Sequence, residues 1–163
     1  METMIKMVRI DERLIHGQVA MIWSKELGVD RIIVVNEKVA NDPILSSTLK
    51  MAAPDTVKAI ILDEKKAEML LNDPRAANLK ILVVVNSPKD ALFVAKNVKD
   101  VPLVNIGNYG KADKSGMPKE RLNDNVFLND QDRSDLKAII DLGITTQYQL
   151  VPDQPITDMA TVL

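Results

Sequence analysis

Short apolar runs without polar interruption recur along the chain, with Ile32-Ile33-Val34-Val35 and Ile81-Leu82-Val83-Val84-Val85 the purest. A strand with one wet face alternates apolar and polar residues, whereas one that is apolar throughout is covered on both faces, as in a parallel sheet between two layers of helices. Seven segments read as strands: residues 5–10, 31–36, 57–62, 80–86, 103–106, 125–128 and 144–151. Helix punctuation falls between them. A helix from Gly17 to Leu27 stops at Gly28, and Asp42-Pro43 opens another that reaches Ala53. Asp63 caps a segment running to Asn72, Ser87-Pro88 begins the next, and a last one from Asp130 to Leu142 ends at Gly143. Alternating elements of these two kinds predict a single α/β domain over residues 1–163. Its form is a three-layer α/β/α sandwich with a doubly wound, mainly parallel sheet of about six or seven strands.

Composition narrows the chemistry. With 46% hydrophobic residues in 163 the chain can bury a full core, and a net charge of −2 provides no basic field to draw nucleic acid, so any anion site is local. The chain has no cysteine and one histidine, which removes disulfides, cysteine-based zinc or redox sites and multi-histidine metal sites; no metal or cofactor is expected. The longest apolar runs fall far short of the ~20 residues that span a bilayer. Met1-Glu2-Thr3-Met4 begins no secretory signal, which predicts a cytoplasmic protein. Trp23, Phe93, Tyr109, Phe127 and Tyr148 lie in no basic stretch, so stacking platforms for single strands or sugar rings are not foreseen, and Trp23, one turn from Val19, reads as core.

The single histidine, His16, lies in Arg9-Ile10-Asp11-Glu12-Arg13-Leu14-Ile15-His16-Gly17-Gln18-Val19, where a strand pattern gives way to a helical one. In α/β proteins that corner is the usual anion site, because helix N-terminal amides point out of the sheet edge. A lone histidine is ordinarily a satisfied polar residue. Here Arg13 precedes it by three positions and Gly17 follows, which together describe a small cationic cup suited to phosphate. The irregular stretch 107–119 follows a strand ending Val104-Asn105-Ile106, so it lies at the same edge as a lid or a spacer. Asn36-Glu37 and Asn86-Ser87 either line that rim or cap helices. Gly107-Asn108-Tyr109-Gly110-Lys111 lacks the spacing of a nucleotide phosphate loop, and the turn after the first strand lacks the dinucleotide glycines, so nucleotide use is not expected.

The stretch from Val8 to Val19 resembles the phosphorylation-site signature of the enzyme IIB components of the mannose/fructose/sorbose family of sugar phosphotransferase systems. The similarity continues through Asn105-Ile106-Gly107, Val126-Phe127-Leu128 and Leu142-Gly143-Ile144 to Val151-Pro152, and no departure within the motif removes a chemical group. The resemblance implies a cytoplasmic phosphocarrier, peripherally held at the membrane, that takes a phosphoryl group from the phosphohistidine of a IIA partner. It would pass that group to a sugar moving through a IIC/IID permease. His16 would carry the group on Nδ1, Arg13 would be the principal phosphate-binding side chain, and Gly17 and Gln18 would offer backbone donors. Asp11 and Arg9 would orient the loop or form a structural ion pair. A phosphoryl acceptor must be a neutral imidazole, and a helix N-terminus with Arg9 and Arg13 nearby opposes protonation.

Two other readings stand beside this one: a non-catalytic anion- or partner-binding module of the same fold, and a histidine phosphatase. The phosphatase pattern wants an arginine directly before the histidine and a second histidine, whereas Ile15 precedes His16 and no other histidine exists. Mannose, fructose, sorbose and N-acetylgalactosamine all stay open as the sugar, which the permease would mainly bind. The apolar residues 159–163 are offered to another subunit in a possible homo-oligomer.

Overall fold

The computed structural model describes residues 4–112 and 116–163. Its main sheet is built from β1 (Ile5–Ile10), β2 (Arg31–Val35), β3 (Lys58–Leu62), β4 (Ile81–Val85), β5 (Leu103–Ile106), β8 (Thr145–Tyr148) and β9 (Thr157–Asp158). The spatial order is β3-β2-β4-β1-β5-β8-β9; every pairing is parallel except that of β9 with β8. The doubly wound parallel expectation holds.

The continuous apolar runs are explained by two cores, one on each face. Ile33, Val35, Ile81, Val83 and Val85 pack toward α4 (Glu64–Leu71), α5 (Pro88–Asn97) and α6 (Asp130–Asp141). Their alternate neighbours Ile32, Val34, Leu82 and Val84 pack toward α1 (Gly17–Leu27) and, through the half-buried Leu49, α3 (Pro43–Met51). Because successive strand side chains point to opposite faces, only a run apolar at every position fills both layers. The crossovers after β1 and β2 lie on one face and those after β3, β4 and β5 on the other. Adjacent strands β1 and β5 thus send their chains to opposite sides, which opens a crevice at their C-terminal ends, where α/β sheets bind ligands.

Three segments depart from expectation. Residues 125–128 form β7 (Val126–Leu128), which joins β6 (Glu120–Asn123) in a separate antiparallel hairpin outside the main sheet. Phe127 N–H donates to Tyr109 O, and Tyr109 N–H donates to Asn125 O, so the chain leaving β5 occupies this segment's backbone. The last parallel strand ends at Tyr148; Gln149 N–H still donates to Ile106 O, while its Nε2 donates to the carbonyls of Pro152 and Gln154. Residues 159–163 are not a free apolar edge: Met159 is fully buried and Val162 and Leu163 pack on the same core. The short β9 returns the chain antiparallel and tucks this end inward. At the rim, Asn36 caps the short α2 (Glu37–Ala40) by accepting Val39 N–H, and Ser87 caps α5 by accepting Asp90 N–H.

Asp90, in the first turn of α5, carries a carboxyl pushed up to about 6, first by burial and then by the neighbouring Glu64 carboxylate. A carboxyl that binds its proton more tightly when folded stabilises the fold most below its unfolded value near 4; that stability is lost as pH rises toward 6. Asp90→Asn is therefore expected to stabilise the fold at pH 7 by about 1 kcal/mol once solvent screening is discounted, raising the melting temperature by about 3 °C, and to change little at pH 4. Melting curves at the two pH values check this; an equal effect at both contradicts it.

Candidate active site

β1 ends at Ile10, and the six residues before α1 form a tight corner rather than a loose loop. Asp11 N–H donates to Val85 O, extending the β4 register by one step. Asp11 Oδ1 then accepts Arg13 N–H at 3.1 Å while Leu14 N–H returns to Asp11 O at 2.9 Å. Leu14 sits at φ 60°, a region that costs a branched side chain strain, and the strain is held because Leu14 and Ile15 are both buried in the α1-side core. With its neighbour anchored, His16 is placed at the N-cap of α1 in extended conformation, half-buried, without a side-chain capping bond. Gly17, at φ 41°, and Gln18 follow and are exposed. Amides in a helix's first turn have no acceptor within the helix, which leaves them available to an anion.

Arg13 lies over this corner, exposed, and its Nη1 is 2.8 Å from His16 Nε2. The other ring nitrogen, Nδ1, has almost no accessible surface and no hydrogen-bond partner. His16 and Arg13 are thus in contact at this corner, with Gly17 and Gln18 next in the chain at the start of α1.

Arg9 is elsewhere. Its guanidinium is only 2% exposed, on the α1 face of the sheet, where Nη1 donates to Gln149 O at 3.2 Å and Nη2 to Leu150 O at 3.1 Å. Nη2 also pairs with Asp11 Oδ2 at 3.4 Å, and the guanidinium carbon stands 5.3 Å from the centre of the Trp23 ring. Trp23 Nε1 donates to the same Leu150 carbonyl. Burial pushes the Arg9 guanidinium below its ordinary value, opposed by the adjacent Asp11 carboxylate. Of the two roles left open for Arg9 and Asp11, the geometry supplies both at once: a buried ion pair whose carboxylate also fixes the Arg13 backbone. In register beside Arg9 stand Asn105 and then Gln147, joined by Gln147 Nε2 donating to Asn105 Oδ1, while Asn105 Nδ2 donates to Gln149 O. Gly107 is required here, because a Cβ on it would fall 1.9 Å from Arg9 Nη2.

The segment after β5 meets the His16 corner directly. Glu12 N–H donates to Asn108 O, and Glu12 Oε2 accepts the amides of Gly110 and Ala112, both at 3.1 Å. Further on, Tyr109 OH donates to Asp132 Oδ1 and Lys119 Nζ pairs with Asp132 Oδ2, fastening both ends of the stretch near α6. Part of 107–119, residues 113–115, lies outside the described residues, and the choice between lid and spacer falls partly on them.

Residues 5–163 match the family model for the sorbose subfamily IIB component of the phosphotransferase system. The chain belongs to that family. IIB components are phosphotransferases, and their phosphotransfer serves sugar uptake. The chain is 41% identical to a protein named probable phosphotransferase enzyme IIB component in Streptococcus pyogenes serotype M6, over 85% of this chain and 86% of the relative. It is 34% identical to the sorbose-specific EIIB component of Lacticaseibacillus casei, over 95% of this chain and 92% of that one. The IIB domain of the Klebsiella pneumoniae sorbose permease superposes with a TM-score of 0.88 at 29% identity, covering 96% of this chain and 94% of the other.

In this IIB component the motif residues His16, Arg13, Gly17 and Gln18 converge, and Arg9 and Asp11 support them from beneath. Four contributors escape a reading of the sequence: Glu12, Trp23 as a hydrogen-bond donor, Gln149 and Leu150. Glu12 stands inside the motif with no role assigned to it from sequence, and the adjacency of β1 and β5 gives it amides to hold. Among the described residues no group of histidines, cysteines or carboxylates is arranged to hold a metal ion, and no helix is long and apolar enough to cross a membrane.

Proposed function

We propose that this chain is a phosphocarrier in which His16 accepts a phosphoryl group from the phosphohistidine of a IIA protein and donates it to a sugar entering through a IIC/IID permease. The contact of Arg13 Nη1 with His16 Nε2 at 2.8 Å, at a strand-to-helix corner with free amides, carries this reading. The loose transition state of phosphoryl transfer spreads charge over three equatorial oxygens, so catalysis rests on positioning and on cationic and amide donors. In the forward step the Nδ1 lone pair of His16 bonds to phosphorus as the donor's N–P bond breaks, its electron pair staying on the donor imidazole. Arg13 and the amides of Gly17 and Gln18 bind the oxygens throughout. An exposed cup with one guanidinium suits a group that must be handed on, since a closed cage would bind the phosphorylated state too tightly.

The mannose-specific EIIAB component of Escherichia coli, 34% identical over 93% of this chain, supports a IIA partner by its name, and this chain spans 46% of it. The sugar would be held mainly by the permease, and the carrier would work in the cytoplasm at the membrane's inner face. Incubation with a phosphorylated IIA protein is expected to add the mass of one phosphoryl group, labile in acid and stable in base, and His16→Gln is expected to take up none. A wild-type protein that stays unmodified would point instead to a non-catalytic binding module.

A further inference from the structure

The proposed phosphorylated nitrogen is the one the resting site holds enclosed, and the other nitrogen is occupied by a group that can only donate. A guanidinium has no acceptor and does not lose its proton in proteins. In the 2.8 Å contact, Arg13 Nη1 therefore gives the hydrogen bond and Nε2 receives it with its lone pair. A neutral imidazole has one proton, so that proton is on Nδ1, a nitrogen without partner or accessible surface. Free histidine prefers the opposite tautomer. Resting on the phosphocarrier reading above, we infer that Arg13 is a tautomer lock: it keeps His16 in the Nδ1–H form, without a nucleophilic Nδ1, until phosphoryl oxygens draw the guanidinium away.

The surroundings say which parts can move. Leu14 and Ile15 are buried, so the backbone that carries His16 is anchored. Arg13 is exposed and its side chain can swing. A phosphoryl group offers the guanidinium two anionic oxygens in the geometry of its fork, a stronger match than one imidazole nitrogen. Once Nε2 is released, the proton leaves Nδ1 and one is taken up at Nε2 through solvent. The ring is also free to turn about its Cβ–Cγ bond, a torsion with broad wells, which brings Nδ1 out of its enclosure. Nδ1 then attacks phosphorus as described, and the Nε2 proton stays on the ring. One side chain thus both detects the incoming group and licenses the nucleophile.

The chain's single histidine makes the test direct, because imidazole ¹⁵N spectra of histidine-labelled, unphosphorylated protein report one ring. In the neutral form of the ring, the wild type is expected to be mostly Nδ1–H. In Arg13→Ala and Arg13→Gln, whose folds the amide spectrum verifies, the Nδ1–H to Nε2–H ratio is expected to fall about tenfold or more, the weight of one hydrogen bond from a charged donor. Saturating inorganic phosphate should move the wild type the same way and leave Arg13→Ala unmoved. A wild type already in the Nε2–H form overturns the lock, as do variants that keep Nδ1–H, and a wild type indifferent to phosphate overturns the release step. No phosphoryl donor enters these measurements, so their failure leaves the carrier reading standing. A failed adduct beside the expected spectra sinks the carrier reading alone.

Discussion

Arg13→Ala is expected to slow phosphoryl acceptance by His16 about 10²-fold while the protein stays folded. Two effects oppose each other. Removing the guanidinium frees Nε2, which recovers at most the weight of one exposed hydrogen bond in the resting state. It also strips the transition state of the guanidinium that touches His16, and losing a donor aimed at developing negative charge typically costs 10²–10³ in rate, about 3–4 kcal/mol. The second effect is larger, so the variant loses. Because Arg13 is exposed and its side chain touches only His16 among the described contacts, the melting temperature should move by about 2 °C or less. Quench-flow transfer from a phosphorylated IIA protein, paired with a melting curve, checks both halves. A variant that accepts phosphate at the parental rate removes Arg13 from the reaction.

Arg9→Met should do the reverse, damaging the fold first. Methionine keeps the apolar length of the side chain but leaves the Asp11 carboxylate, 1% exposed, without its cation and leaves the carbonyls of Gln149 and Leu150 without this donor. Breaking one side of a buried ion pair commonly costs 3–5 kcal/mol, which for a domain of this size lowers the melting temperature by about 10 °C. Transfer should fall as well, since Asp11 Oδ1 fixes the Arg13 backbone. Replacing both partners, Arg9→Met with Asp11→Leu, should recover part of the stability, because no lone charge is then buried, but not the transfer rate. If the single variant melts within about 2 °C of the parent, the buried pair is not what holds this corner.

Much of the architecture was legible because burial on two faces writes itself into consecutive residues. Ile81 to Val85 could be nothing but a central strand, and the glycines and prolines at helix ends marked the crossovers. His16 and Arg13 were legible for a local reason, since three residues of sequence and a turn suffice to bring them together. What escaped was long-range or partly polar. Glu120-Arg121-Leu122-Asn123 shows no strand pattern and pairs only because β7 lies alongside. Arg9 reads as a loop-orienting or ion-paired residue, and nothing in the sequence signals that residues 140 and 141 positions away supply the carbonyls that hold it. Met159 reads as part of an edge offered to another subunit until β9, paired with β8, turns the chain back into the core.

That span from Arg9 to Gln149 and Leu150 also sets a schedule. In synthesis Arg9 precedes by 140 residues the first of the carbonyls that clamp it. A nascent chain therefore carries the His16 corner before the residues that hold its foundation exist, and the corner can settle only after Leu150 has emerged.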